Sequence, residues 1–205
     1  MTFQNKTRIA HIISDFAIVG GVEWVVYEIV KGLDQTKFKS ILFCLTKQWD
    51  LDSSKSLKYM IRKEGIEIID LNFKSSTNPM YLFRNIKNLF KLSQFLKGYK
   101  IQIVHTHEFF SGTMGRLAAM IAKVPVKILM VHNCDRWKRS YHILIDRFLS
   151  KKTDIIIANS DSVKKFTSEF ENIPINQFKT IYNGVDLGRF DGSVNVVDKR
   201  KQLDV

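Results

Sequence analysis

Seven residues, numbers 101–107 with the sequence Ile-Gln-Ile-Val-His-Thr-His, limit most strongly how this chain can fold. The run is short and rich in β-branched residues, it ends on polar side chains, and a helical pattern over residues 111–123 follows it. A strand that leads directly into a helix is the repeating unit of a parallel α/β sheet. Such sheets bind ligands at the carboxyl ends of their strands, so the polar residues at this end are candidates for a site.

The same alternation of strand and helix patterns continues along most of the chain. Apolar runs predict strands over residues 8–13, 39–45, 66–71, 101–107, 126–131, 154–158 and 178–182. Helical patterns separate them over residues 22–33, 51–64, 80–96, 111–123 and 161–170. Gly65 and Gly98 follow two of these helices as expected stops, and Ser160 is placed to cap the last one. Seven strands joined by helices and short loops predict an α/β fold, a doubly wound, Rossmann-like parallel sheet.

Residues 1–190 predict one domain, and the residues that follow break the pattern. The alternation is lost from residue 187 onward, and residues 198–205 resemble the start of a helix with nothing to pack against. We therefore expect residues 191–205 to be a linker toward a C-terminal domain that this sequence lacks.

The charge balance predicts an anionic partner. Lys and Arg outnumber Asp and Glu by 32 to 20, which gives a formal charge of +12 and a pI near 9.7. Such an excess attracts nucleic acid, an acidic lipid surface or a phosphorylated ligand, and composition does not choose among them. With 45% apolar and 12% aromatic residues, the chain is expected to be globular.

The cysteines and the apolar runs indicate a cytoplasmic protein. Cys44 and Cys134 lie far apart, which is typical of reduced thiols and not of a disulfide framework or a metal site. No signal-peptide pattern is visible at the N-terminus, and no apolar run approaches the roughly 20 residues of a membrane-spanning helix. We expect a protein that is soluble or that lies on the inner face of a membrane without crossing it.

A glycine pair, Gly20 and Gly21, follows the first predicted strand and opens a helix. Glycines there let the backbone approach a ligand, and the helix N-terminus offers free N–H groups to a phosphate or sugar oxygen. The spacing is neither the dinucleotide fingerprint nor a P-loop. A tight turn without a ligand explains the pair equally well.

Histidines follow two of the predicted strands. His105 and His107 point to the same face of a strand, but a third metal ligand is missing from their neighbourhood, because Glu108 would point elsewhere. We therefore expect no metal site, and hydrogen bonds to nearby loops for at least one of the two. His132 ends the next strand and could orient a hydroxyl group or take part in proton chemistry, or it could be purely structural.

Basic faces recur on two segments. On the helix over residues 80–96, a helical wheel places Arg84, Lys87 and Lys91 opposite the buried arc, with Phe95 projecting among them. The predicted buried arc consists of Leu82, Phe83, Ile86, Leu89, Phe90 and Leu96. A second basic cluster lies within residues 136–152, interleaved with Trp137, Tyr141 and Phe148, and its basic members are Arg136, Lys138, Arg139, Arg147, Lys151 and Lys152. Such faces suit an anionic membrane surface or a lipid-linked phosphate, although ordinary solvated faces look the same.

Five motifs in the same order resemble those of glycosyltransferase family 4, retaining enzymes with the two-domain GT-B fold. They are the Gly-Gly-Val-Glu of residues 20–23, His105-Thr-His107 with Gly112, the Val-His-Asn of residues 131–133, Asn159-Ser160, and the Ile-Tyr-Asn-Gly-Val-Asp of residues 181–186 with Phe190. Together they extend over essentially the whole chain. The sequence is therefore similar to the N-terminal, acceptor-binding domain of that family.

The resemblance implies transfer of a sugar from a nucleotide sugar to a sugar, polysaccharide or lipid-linked acceptor, with retention at the anomeric carbon. It implies no cofactor and no required metal ion. By the match, Gly20 and Gly21 would lie near the donor phosphate and the acceptor, and His132 would contact the transferred sugar. The residues that would line the cleft between the two domains are Asn183, Gly184 and Asp186. His107 would lie toward the acceptor.

The resemblance also implies an incomplete site. The family holds its donor chiefly in the C-terminal domain, so we expect this chain alone to bind nucleotide sugar weakly and to show no turnover. Many relatives work at the cytoplasmic membrane face in polysaccharide or lipopolysaccharide biosynthesis, which agrees with the basic faces. A second interpretation is a non-catalytic subunit that binds a membrane or a separate chain carrying the missing domain. Nucleic acid is not an expected partner, since no recognition motif is present.

Overall fold

The computed structural model describes residues 6–16, 20–46, 56–74 and 79–184. Over these residues seven strands form one sheet in the order β3-β2-β1-β4-β5-β6-β7, and every neighbouring pair is parallel. The strands are β1 (Thr7–Ile13), β2 (Phe38–Cys44), β3 (Glu67–Asp70), β4 (Ile103–His107), β5 (Val126–Val131), β6 (Ile155–Ala158) and β7 (Phe178–Thr180). The predicted parallel α/β fold is confirmed.

Helices connect the strands and cover the sheet. They are α1 (Gly21–Gly32), α2 (Leu57–Lys63), α3 (Pro79–Gly98), α4 (Phe109–Ala122), α5 (Ser140–Ser150) and α6 (Asp161–Glu171), with a 3-10 turn at Ile175–Gln177 before β7. The sequence did not predict α5 as a helix, because its apolar residues face outward and it was interpreted as a basic, aromatic segment. Of the predicted helix over residues 51–64, residues 51–55 lie outside the described part, as does the predicted linker over residues 191–205.

The core has two layers because strand residues alternate between the faces of the sheet. On one face, Ile12 of β1 and Phe43 of β2 pack with Leu92 and Leu96 of α3 and Ala118 of α4. On the other face, a second core is built from β1, β2, α1 and α2, and its buried members include Ile13, Leu42, Val26, Val30 and Ile61. Since His11 lies two residues before Ile13, it belongs to the α1 face of the sheet.

Local signals at the helix ends behave as the sequence predicts. The Ser160 side chain accepts a hydrogen bond from the backbone N–H of Val163, which caps α6. Gly65 follows α2 with a φ of 72°, a left-handed conformation that glycine adopts without a Cβ penalty. Gly98 is the last residue of α3. These signals depend on neighbours in sequence alone, which is why they are readable without the fold.

The described residues also bear on membrane-spanning helices and on the two cysteines. No helix among them is both long and apolar enough to span a bilayer. Cys44 is buried, Cys134 is exposed, and both are free thiols as predicted.

Candidate functional site

The carboxyl ends of β4 and β5 border a cavity of about 220 Å³. His132, a predicted site residue that lies one position beyond β5, is among the residues that line it. The other lining residues are Glu108, Phe109, Leu129, Val131, Asn133, Asp135, Trp137, Lys138 and Asp146. The strand ends thus bring polar and aromatic side chains together at the edge where open parallel sheets bind ligands.

Four histidines form a continuous array from the middle of the sheet to this cavity, which we call the histidine column: His11, His105, His107 and His132. His11 of β1 is in register with His105 of β4. Their ring centroids are 5.4 Å apart, those of His105 and His107 are 4.3 Å apart, and those of His107 and His132 are 5.5 Å apart. Nδ1 of His107 lies 3.2 Å from Nε2 of His132, within hydrogen-bonding distance.

The histidine column is electrically neutral at pH 7. Burial lowers the pKa of His11 and of His132 from 6.5 to about 4, and it lowers the pKa of His105 and His107 well below 6.5. Burial has this effect because a charged imidazolium loses its hydration. Both ring nitrogens of His11, and Nε2 of His105 and of His107, have no hydrogen-bond partner among the described residues.

His11 lies close to His105 and His107, where the sequence predicted no third metal ligand. Nitrogen atoms of His11, His105 and His107 all lie within 4.8 Å of one another. The expectation was wrong because His11 is 94 positions from His105, and only the register of β1 against β4 brings them together. No carboxylate of the described residues joins this group. Three neutral imidazole nitrogens are a known ligand set for Zn²⁺, so this group could hold a divalent ion without a carboxylate.

Glu108 is a functional candidate that sequence reasoning considered only as a metal ligand, and it is not part of the histidine group. Strict alternation would point its side chain away from the site, but β4 ends at His107 and Glu108 takes a left-handed φ of 65°. This turn brings Glu108 into the lining of the cavity. Burial raises the pKa of its carboxyl group, while a hydrogen bond from Ser14 opposes the rise. A non-glycine residue in this backbone region at a strand end is a recurrent mark of functional sites.

The glycine pair lies at the start of α1. Gly20 is the N-cap residue, and a Cβ at this position would overlap with the Glu23 carboxylate. Gly21 has open space where its side chain would be. The Glu23 carboxylate beside Gly20 lies in the first turn of α1, so it already occupies part of the positive end of this helix.

Asn183 and Gly184 line a second cavity, of about 400 Å³, beside α1. Its other lining residues are mostly apolar: Trp24, Val25, Glu28, Ile29, Met130, Ile181 and Tyr182. Asp186, predicted with them, lies outside the described residues. The structure therefore places Asn183 and Gly184 near α1, at a cavity distinct from the one that His132 lines.

The basic face of α3 differs from the helical-wheel prediction. Lys87 and Lys91 are exposed, but Arg84 donates from its Nε to the carbonyl oxygen of Asn72. Phe95 does not project among the basic residues. It is half-buried against the core, where its ring meets Phe43, and the Lys91 ammonium lies 5.7 Å from that ring.

The apolar residues exposed on α3 are instead Ile86 and Phe90, which the wheel had placed in the buried arc. Phe90 is 53% exposed. The prediction failed because the contact of α3 with α4 and the sheet decides which arc is buried, and buried Leu92 and Leu96 mark that arc.

A second exposed surface lies on and beside α5, and we call it the α5 surface: Trp137, Tyr141, Leu144, Ile145 and Phe148, all exposed. The last four have the i, i+3, i+4, i+7 spacing of one helix face. The basic residues Arg136, Arg139, Lys151 and Lys152 are exposed around it. Lys138, predicted as part of this basic cluster, is buried.

Lys138 belongs to what we call the charge cluster, which also contains Arg116, Asp146 and Glu171. Its Nζ donates to Asp146 Oδ2 at 2.9 Å and to Glu171 Oε1 at 2.6 Å, and Arg116 Nη2 donates to Asp146 Oδ1 at 2.6 Å. Burial lowers the pKa of Lys138, but attraction to the two carboxylates outweighs burial and the net shift is upward. The cluster connects α4, α5 and α6 beneath the cavity.

Solved structures share this architecture. The crystal structure of Anabaena HepE in complex with UDP and glucose aligns with a TM-score of 0.70 at 16% identity, over 95% of this chain and 50% of that one. A glycosyltransferase from Rickettsia africae ESF-5 aligns with the same TM-score at 22% identity, over 98% of this chain and 50% of that one. The sheet and its helices therefore have the Rossmann-like fold of one half of a GT-B glycosyltransferase.

The sequence pattern that defines Glycosyltransferase Family 4 matches residues 19–189, so the chain belongs to that family. An Escherichia coli relative, UDP-Gal:alpha-D-GlcNAc-diphosphoundecaprenol alpha-1,3-galactosyltransferase, is 30% identical over 128 residues, which are 60% of this chain and 33% of that enzyme. The chain thus spans from a third to a half of the length of these proteins. The resemblance inferred from the five motifs is confirmed.

Proposed function

We propose that this chain is the acceptor-binding part of a retaining glycosyltransferase, which moves a sugar from a nucleotide sugar to a lipid-linked or polysaccharide acceptor. The observation that carries the proposal is the cavity at the carboxyl ends of β4 and β5, lined by the neutral imidazole of His132 and the carboxyl group of Glu108. A concave site with a few polar groups among apolar and aromatic side chains can orient a ligand that carries hydroxyl groups. The name of the E. coli relative, with a diphosphoundecaprenol-linked acceptor, supports the lipid-linked class.

The proposed roles follow from position. His132 contacts the transferred sugar, and Gly21, with open space at its Cβ position, lets a ligand approach the backbone at the start of α1. Gly20 keeps room for Glu23. Asn183 and Gly184 would face the rest of the enzyme, together with Asp186. The reaction is proposed to need no metal ion, as the family resemblance implies, and the histidine group that could hold a metal, His11, His105 and His107, is not part of the cavity lining.

The test is a transfer assay with radiolabelled UDP-sugars and an undecaprenol-diphosphate-linked sugar acceptor. It is run on this chain and on a longer protein that also carries the expected C-terminal domain. We expect turnover only by the longer protein, with weak UDP-sugar binding by this chain, because the chain covers a third to a half of its relatives. His132→Ala should lower kcat/KM by about 100-fold, the scale of a lost transition-state contact. The control, Lys165→Ala, alters an exposed residue of α6 outside the cavity lining and should leave transfer within about threefold.

Three outcomes would contradict parts of this proposal. Efficient transfer by this chain alone would overturn its dependence on a second part. Equal effects of the His132 and Lys165 substitutions would remove His132 from the site. Activity that appears only on adding a separate chain would favour the split-enzyme subunit.

We further propose that the protein attaches to an anionic membrane surface through the α5 surface and the exposed basic face of α3. Leu144 is 60% exposed and Phe148 is 58% exposed, on a helix flanked by four exposed basic residues. Soluble domains rarely leave such a stripe of large apolar side chains uncovered. Apolar side chains surrounded by Arg and Lys fit the boundary between anionic headgroups and acyl chains.

Vesicle co-sedimentation tests this attachment. We expect binding to vesicles that contain 30% phosphatidylglycerol and little binding to pure phosphatidylcholine, since each basic residue near the surface contributes about 1 kcal/mol with anionic lipid. Leu144→Glu with Phe148→Glu should reduce binding at least tenfold. Ile175→Glu, at an exposed apolar residue away from α3 and α5, is the matched control and should bind as the wild type does. Equal binding of wild type and double variant would contradict the proposal.

A further inference from the structure

We infer that His107 is a positioning residue that sets the tautomer of His132, so that His132 presents an N–H donor to its ligand and not a lone pair. The tautomer itself follows from the geometry of the histidine column. Only its consequence, a hydrogen bond to a sugar oxygen, rests on the proposed function.

The rings of His107 and His132 lie within hydrogen-bonding distance of each other. Nδ1 of His107 and Nε2 of His132 are 3.2 Å apart, and both residues are buried. A neutral imidazole carries one N–H and one lone pair. A hydrogen bond between these nitrogens therefore requires that one ring donates while the other accepts. The second nitrogen of the donating ring then carries a lone pair, and the second nitrogen of the accepting ring carries the N–H.

The second nitrogen of His107 decides the direction. Its Nε2 is buried and has no partner among the described residues. If His107 carried its hydrogen on Nε2, a buried N–H would have no acceptor, and His132 would have to donate. If His107 carries its hydrogen on Nδ1, that N–H is donated to His132 and only a lone pair is left unpaired. Orphaned buried N–H groups are rarer than orphaned acceptors, so His107 donates from Nδ1.

The consequence falls on His132. Its Nε2 accepts from His107, so its hydrogen must lie on Nδ1. Asn159 donates from Nδ2 to the His132 carbonyl oxygen at 2.9 Å, which fixes the backbone that carries the ring. His132 lines the cavity, and Nδ1 is the ring nitrogen left over for a ligand.

This arrangement gives His132 a definite chemical part. A neutral Nδ1–H donates a hydrogen bond to a sugar hydroxyl or phosphate oxygen, and it cannot remove a proton from one. Without a fixed partner, imidazole in water favours the opposite tautomer, with the hydrogen on Nε2. His107 thus converts a side chain of the cavity into a fixed donor although it does not line the cavity itself.

The test is the tautomeric state of His132, read from nitrogen-15 NMR of the protein labelled at histidine. The sequence has five histidines, so single substitutions assign each ring. We expect a protonated Nδ1 and an unprotonated Nε2 for His132 in the wild type. His107→Asn should preserve this pattern, because the Asn amide places a donor near the position of Nδ1. His107→Leu, which has no donor, should shift His132 toward the Nε2–H form.

The same variants provide a kinetic measurement in the transfer-competent longer protein. We expect kcat/KM to fall about tenfold in His107→Leu, the effect of one weakened hydrogen bond, and to return to within about threefold of wild type in His107→Asn. His107→Met serves as a second variant without a donor if the Leu variant does not fold.

A hydrogen on Nε2 of His132 in the wild-type protein would overturn the inference. So would an unchanged His132 tautomer in a folded His107→Leu or His107→Met variant. The NMR result does not depend on turnover. Absence of transfer by the longer protein would therefore refute the proposed function while leaving the tautomer assignment in place.

Discussion

The histidine column and the charge cluster are two buried polar regions of the same domain, and they are built on opposite principles. The charge cluster holds two cations and two anions, and each of its ionised groups has a partner within 2.9 Å. The histidine column holds no charge at neutral pH, and several of its nitrogens have no partner among the described residues. The charge cluster joins three helices through ion pairs and contributes Lys138 and Asp146 to the cavity wall, whereas the histidine column reaches the same cavity through the neutral ring of His132.

The difference separates support from function. In the charge cluster the ionised groups are bound to one another, so removing one partner leaves a buried charge uncompensated and lowers stability. Unpaired buried polar atoms are unfavourable for folding, so their presence in a native protein calls for an explanation such as ligand binding. The contrast predicts that the charge cluster is intolerant of substitution, while the interior of the histidine column is tolerant.

The largest expected effect is in the charge cluster. Asp146→Asn should lower the free energy of unfolding by about 3–5 kcal/mol, because it leaves Arg116 and Lys138 without a shared buried counter-charge. Denaturant titration measures this loss. Asp154→Asn, at a half-exposed residue paired with Lys127, is the matched control and should cost less than about 1 kcal/mol. Equal losses at the two positions would end the distinction between these ion pairs.

A smaller effect is expected from acid on the histidine column. The pKa of His11 is about 4 in the folded protein and near 6.5 when the chain is unfolded, because burial disfavours the charged ring. Between these pH values the unfolded chain binds more protons, so stability is complete above pH 6.5 and declines as the pH falls toward 4. Full titration of His11 alone corresponds to about 3 kcal/mol.

Thermal unfolding between pH 4 and pH 7 measures this decline. His105 and His107 act in the same direction, since burial lowers their pKa as well. A midpoint that stays level from pH 7 to pH 4 would show that the column is not buried in neutral form.

The smallest expected changes in the free energy of unfolding come from replacing a buried polar side chain that lacks a hydrogen-bond partner, His11, and one that has a partner, Thr106. His11→Met should raise the free energy of unfolding by about 1 kcal/mol at pH 7, because neither nitrogen of His11 has a partner among the described residues. It should also reduce the loss of stability in acid. Thr106→Val, at a buried residue whose hydroxyl donates to the Ile128 carbonyl oxygen, should cost about 1 kcal/mol. Destabilisation by both substitutions would mean that His11 makes a favourable contact comparable to that of Thr106.

Much of the fold was readable from local sequence, because strands, helices and caps depend on neighbours along the chain. Ser160, Gly65 and the strand that ends at His107 are examples. The site was readable only in part. His132 was found as a residue at the end of a strand, but His11 was missed, since its approach to His105 depends on the pairing of two distant strands.

Tertiary contacts account for the other errors. Phe95 was predicted to be exposed and is half-buried, whereas Phe90 was predicted to be buried and is exposed. The reason is that α4 and the sheet determine which arc of α3 is covered. Lys138 was interpreted as a surface charge, since its two carboxylate partners lie 8 and 33 positions away and no local pattern announces them.

The pairing of β1 with β4 also bears on how the protein is made. Arg8 and Gln102 are joined across 94 positions, so the two central strands meet only after all the residues between them have been synthesised. Until then β1 is an apolar strand with one unpaired edge, the kind of surface that pairs with other chains. Closing so long a connection is slow compared with forming the local helices. Before β4 is made, His11 therefore lacks its neighbour His105 and the edge of β1 can pair with other chains. We expect a chaperone to protect the nascent protein most at this stage.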